Sequence, residues 1–129
     1  MAFHVSEEAL KWALTHAENF GDTDVLPTPF EFEAIRYRWD TIKPNLLRQD
    51  LDNRQVREHR RFVAPKGPYA YRIVTQIEPI DFLLFSALIY EIGDELESAR
   101  SPATEEIVHS SRFYDRAFIP KNVQWAHKK

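Results

Sequence analysis

The sequence predicts an α+β fold, mostly helical, in one domain of 129 residues. Three observations carry this. Apolar residues recur at helical spacing in the N-terminal third. Two short runs of strand-forming residues flank a Pro-Lys-Gly-Pro turn, which reads as a single β-hairpin. After it comes one long apolar stretch, "PIDFLLFSALIYEIGDELESAR", long enough for a core helix. The expected divisions are a helical N-terminal part (1–58), the hairpin (59–76), the core helix (79–100) and an irregular tail (101–129).

The first helix begins at "EEALKWALTHAENF". Ser6 caps it, and Glu7 and Glu8 suit the positive end of its dipole. Leu10, Ala13, Leu14 and Ala17 form its apolar stripe, and Gly21 stops it. "GDTDVLPTP" is a loop. Thr28 and Pro29 then read as cap and first residue of a second helix, "PFEFEAIRYRWDTI", with Phe32, Ile35 and Trp39 on one side. Pro44 is expected to break or restart the chain, and "NLLRQDLDNRQVREHR" to form another short helix.

"RRFVAP" and "YAYRIVTQ" pair across the turn. Their prolines suit an edge-type hairpin. Alternation places Tyr69, Tyr71 and Ile73 on one face and Ala70, Arg72 and Val74 on the other. In the core helix Phe82, Phe85, Ile89, Ile92 and Leu96 form a stripe, which Leu84 and Leu88 widen. Ser101-Pro102 ends it.

There is no cysteine, so disulfides, thiolate metal sites and cysteine nucleophiles are excluded. No N-terminal signal pattern and no apolar run of spanning length is present. The expectation is a soluble, cytoplasmic protein without a membrane partner. The five histidines lack HxxH or HxxxH spacing, so no metal ligands are assigned. Asp22 and Asp24 are read as turn residues. His109-Ser110-Ser111 is no triad, and no GxSxG elbow, GxGxxG or Walker sequence occurs. Glu31 and Glu33 face different ways on a helix. No catalytic residue is assigned.

Net charge is −3, but the charges are segregated. Arg54, Arg57, Arg60, Arg61, Lys66 and Arg72 form a basic block containing one acid, Glu58. Glu78 to Glu106 holds eight acids against Arg100 alone. A local field attracts a polyanion regardless of net charge. Lys66 on the turn and Arg72 on the returning strand combine a point charge with a planar fork for phosphate oxygens. Spacing alone leaves both an anion fork and a solubilising hairpin open.

The order of features resembles a known family. "RRFVAPKGPYAYRIVTQIEPIDFLLFSALIYEI" is similar to the fingers segment of bacterial reverse transcriptases: a "PK-x-G-x-R" hairpin, then "P-x-D" and a long apolar helix. "HSSRF", His109 to Phe113, resembles that family's "fS-x-RF" segment. "FGDTDVLPTPFEFEAI", from Phe20, resembles the N-terminal extension of its unclassified and defence-associated subgroup, with antiviral defence as the implied role. The resemblance spans Phe20 to Arg116. It implies a fingers-like fragment of a polymerase, with Lys66 and Arg72 contacting the triphosphate of an incoming dNTP. Charge and place, rather than a motif, add Arg57, Arg60 and Arg61 as contacts to an RNA or DNA template-primer. Asp81 is expected to cap or orient the core helix.

The family's palm motifs, "D-x-x-x-F" and "Y-x-D-D", are absent, and no acid follows Arg116. Those aspartates hold the two magnesium ions of phosphoryl transfer. The chain is therefore expected to bind no cofactor by itself and to be inactive alone. Mg2+ is expected only in the full parent enzyme, and the palm portion of the same or another chain is an expected partner. Self-association through exposed apolar surface is expected as well. The alternative is a non-enzymatic helical protein-interaction module, favoured by the net negative charge and the acidic stretch.

Overall fold

Helix α1 (Glu7–Phe20) starts where Ser6 caps it. Ser6 Oγ accepts the Ala9 amide at 3.1 Å, and the Ser6 carbonyl accepts the Leu10 amide at 3.1 Å. Ala9, Leu10, Ala13, Leu14 and Ala17 are buried, as helical spacing requires. The computed structural model describes residues 1–20, 26–100, 112–114 and 117–119. The Gly21 stop and the Asp22 and Asp24 turn lie outside the described residues.

The next stretch departs from expectation. The single helix expected from Pro29 is two: α2 (Glu31–Tyr37) and α3 (Trp39–Leu47). α2 opens at Glu31, with Phe30 rather than Thr28 at the cap position and no side-chain cap bond. The break falls at Arg38, whose φ of −106° and ψ of 23° leave the helical region. The Arg38 carbonyl then accepts the amides of Thr41 and Ile42, both at 3.0 Å, and starts the new helix. Pro44 lies inside α3 and does not end it. A proline there removes one helical bond, to Asp40, and the chain has already changed direction at Arg38.

α1 packs against both α2 and α3. Arg36 pairs with Glu18, and Lys43 with Glu7, so each short helix is tied to α1. Phe32 and Ile35 of α2 and Leu46 of α3 are buried.

The short helix expected after Pro44 stops at Leu47. Asp50 explains this. Its carboxylate accepts the Phe3 amide at 3.2 Å, the Asp52 amide at 3.1 Å and Asn53 Nδ2. Side-chain bonding to nearby amides competes with a helix. The Leu51 amide also donates to the Phe3 carbonyl at 2.9 Å, which ties the turn at Leu51 to the N-terminus.

Strands β1 (Arg60–Pro65) and β2 (Tyr71–Gln76) pair antiparallel, with Arg60 opposite Gln76 and Pro65 opposite Tyr71. The Lys66 amide donates to the Ala70 carbonyl at 2.7 Å and closes the turn. Gly67, at φ +82°, supplies the positive φ that this turn needs. One face carries Arg60, Phe62, Ala64, Arg72, Val74 and Gln76, and Ala64 is its buried member. The other face carries Arg61, Val63, Tyr71, Ile73 and Thr75 and is exposed.

Helix α4 (Pro79–Ala99) is the longest element. Its buried residues differ from the expected stripe. Leu83, Leu84, Ser86, Ala87 and Tyr90 are buried, whereas Phe85 and Leu96 are exposed. The helix is apolar nearly all round to Ile92, so periodicity could not choose the inward face. The Phe82 ring lies 5.6 Å from the Phe32 ring, which links α4 to α2.

The chain divides into two compact units, Met1–Leu88 and Ile89–Lys129. The first holds α1 to α3, the hairpin and the first half of α4. The second holds the rest of α4 and two short strands, β3 (Arg112–Tyr114) and β4 (Ala117–Ile119), paired antiparallel with Phe113 opposite Phe118. This pair falls in the stretch expected to be irregular; three-residue strands are too short to show alternation. Ser101, Pro102 and His109 to Ser111 lie outside the described residues. Among the described residues, no helix is long and apolar enough to cross a membrane.

Candidate functional site

The six cations of the basic block have different partners. Arg54 is nearly buried and donates from Nε to Asp81 Oδ1 at 3.1 Å; its other nitrogens reach Asp81 and Gln49. Arg57 pairs with Glu78 at 3.5 Å, and Arg60 with Glu31 at 2.9 Å. Both keep more than half of their side-chain surface in solvent. Arg61, Lys66 and Arg72 are exposed, and among the described residues none has an ion-pair partner. The field of the block is therefore concentrated on the hairpin.

The hairpin carries all three cations, but on different parts of its surface. Arg72 stands opposite Ala64, two residues before Lys66, on the half-buried face. Lys66 is on the turn, and Arg61 stands opposite Thr75 on the exposed face. Six paired positions fix the strands, so the cations are presented on an ordered scaffold. Arg57 lies outside the strands, in the segment leading to β1.

No protein-family model, curated protein or solved structure matches this chain. Its function is therefore argued from the site itself.

Asp81 has a role other than the one expected. It does not cap α4. Glu78 does: its Oε2 accepts the amides of Ile80 at 3.0 Å and Asp81 at 3.1 Å, and its carbonyl accepts the Phe82 amide at 2.9 Å. Pro79 is thus the first helical residue, where a missing amide costs nothing. The Asp81 carboxylate points back along the chain, holding Arg54 by its guanidinium and accepting the Arg57 amide at 2.7 Å. It fixes the segment that enters β1 and so sets where the hairpin starts. Sequence reading missed this pair. The Pro79 signal could have identified Glu78, since the residue before a first-position proline is the cap; nothing local marks Arg54 as the partner of Asp81.

Between that segment and α4 lies an apolar groove of about 360 Å3. Val56, Ile77 and Phe85 line it and are exposed. Leu84 and the Arg54–Asp81 pair lie deeper. Sequence reading missed the groove as well, because it joins residues from three separate stretches.

Among the described residues, no group of three or more His, Asp or Glu could hold a metal ion. The described residues do not fit the magnesium site that the resemblance implies for a whole enzyme. Burial holds the His16 imidazole below its ordinary pKa of 6.5, and its ring stacks on Trp12 at 4.9 Å. Asp50 is held below the usual carboxylate range, first by Asn53 and then by the amides of Asp52 and Phe3. Both groups lie away from the hairpin in sequence, and their shifts are accounted for by local packing and bonding.

Proposed function

We propose that this chain is the fingers portion of an RNA-directed DNA polymerase, binding polyphosphate and single-stranded nucleic acid through its hairpin. Lys66 and Arg72 take the triphosphate of a deoxynucleotide. Arg61 takes a template phosphate, with Arg57 and Arg60 able to exchange their exposed glutamate partners for phosphate. Such surface pairs are worth ~1 kcal/mol or less, so a phosphate can compete for them. In this reading the palm portion of the same or another chain supplies the acidic metal ligands.

One observation carries the reading. Within a six-cation block, the three cations that have no carboxylate partner among the described residues all lie on the one hairpin. A solubilising surface has no need to group them this way. The ordered resemblance to reverse transcriptase fingers supports the same assignment.

Isothermal titration with a deoxynucleoside triphosphate tests it. The Lys66→Ala/Arg72→Ala double variant should bind at least about tenfold more weakly than the natural chain. Equal binding by the two proteins would remove the triphosphate role.

A further inference from the structure

We propose that Glu31 is an internal competitor of nucleic acid: its carboxylate holds Arg60 where a backbone phosphate would, and the chain must release that pair to bind a single strand. The inference rests on the nucleic-acid reading of the hairpin and adds what limits the affinity of that site.

The sequence makes the hairpin a purely cationic element. From Arg60 to Gln76 it holds Arg60, Arg61, Lys66 and Arg72 and no Asp or Glu. Among the described residues, the one carboxylate that pairs with a hairpin cation comes from α2: Glu31 Oε1 lies 2.9 Å from a guanidinium nitrogen of Arg60. The pair is open to solvent, with 57% of the Arg60 side chain and 23% of the Glu31 side chain exposed. Exposed pairs of this kind are weak. A carboxylate and a phosphodiester each carry one negative charge over two oxygens, and a guanidinium takes either. Glu31 therefore stands in for a phosphate on a cation that an incoming strand can still reach.

Position makes the competition matter. β1 pairs with β2 alone, so one of its edges meets no other strand. Adjacent residues of a strand point to opposite faces, and Arg60 and Arg61 therefore flank that edge from its two sides. A single strand crossing the edge meets both through its phosphates. Glu78, the partner of Arg57, is tied down: its other oxygen accepts the Ile80 and Asp81 amides at the start of α4. Glu31 has no such duty, and among the described residues Arg60 is its one ion-pair partner. Glu33, two residues on in the same helix, is exposed and pairs with no hairpin cation among the described residues, so it is the control for charge alone.

The test uses the full chain and a fluorescein-labelled single-stranded RNA oligomer, read by anisotropy at low salt. Glu31→Gln should tighten binding about two- to fivefold. Glu33→Gln removes the same charge from the same helix and should have a smaller effect. With Arg60→Ala already in place, Glu31→Gln should do no more than Glu33→Gln. The urea midpoint of Glu31→Gln should stay near that of the natural chain, as loss of an exposed pair allows. RNA binding by Glu31→Gln where the natural chain shows none also supports the proposal. Binding that Glu31→Gln leaves unchanged or weakens, or that both glutamine variants tighten equally, overturns it and leaves the nucleic-acid reading standing. So does a full Glu31→Gln effect in the Arg60→Ala background. A large fall in the urea midpoint overturns it too, since the pair is then a structural tie. No binding by either the natural chain or Glu31→Gln overturns the proposal and the nucleic-acid reading together.

Discussion

Arg54 and Asp81 form the ion pair that joins the start of α4 to the segment entering the hairpin, with Nε 3.1 Å from Oδ1. Their side chains are 16% and 7% exposed. Removing one partner of a buried pair leaves an uncompensated charge and costs about 3–5 kcal/mol. Asp81→Ala also orphans the Arg57 amide. Urea unfolding should show a loss in that range, with Asp81→Asn milder because it keeps an acceptor. Arg57→Ala, which removes an exposed pair, should cost ~1 kcal/mol or less.

The inward face of α4 can be read by truncation. Leu83 is fully buried and Phe85 is 58% exposed. Leu83→Ala should cost about 2–5 kcal/mol. Phe85→Ala should change stability by roughly 0.5 kcal/mol or less, as surface substitutions do. Thermal unfolding of the two variants would contradict the assigned face if their order were reversed.

Gly67 tests the turn. A Cβ there would meet nothing within 4 Å, so only the backbone at φ +82° opposes substitution. Gly67→Ala should cost about 1 kcal/mol or more, and Gly67→Asn less, since asparagine tolerates this region better. Urea midpoints of the three proteins give the comparison.

The His16 shift has a pH signature. Its folded-state pKa is lowered by burial, so between that value and 6.5 the unfolded chain binds more protons. Stability is complete above pH 6.5 and falls as pH drops toward the folded value. His16→Phe should flatten this part of the profile. An NMR titration placing the imidazole pKa at or above 6.5 would contradict the assignment.

Legibility in the sequence followed the range of the interactions. The Ser6 cap, the Leu10 stripe and the alternation of Tyr71, Arg72 and Ile73 depend on neighbours a few residues away, and all three appear as read. The break at Arg38 was hidden because Pro44 offered a stronger local signal nearby. The loss of helix after Leu47 depends on Asp50 reaching Phe3, far off in sequence. Glu78 and Asp81 both precede or open an apolar helix, yet only their contacts show which one caps and which one clamps. Of the candidate site, Lys66 and Arg72 were legible from the turn and the strand period. The partners Glu31 and Glu78, which separate Arg60 and Arg57 from Arg61, were not.

The central claim is that the hairpin cations bind phosphate. Its most direct test is the salt dependence of binding to a single-stranded RNA oligomer. With three template phosphates taken by Arg57, Arg60 and Arg61, log affinity should fall with log salt at a slope of roughly −2. Arg61→Ala should reduce that slope by roughly 0.7. Absence of binding at low salt, or binding that ignores salt, would contradict the account.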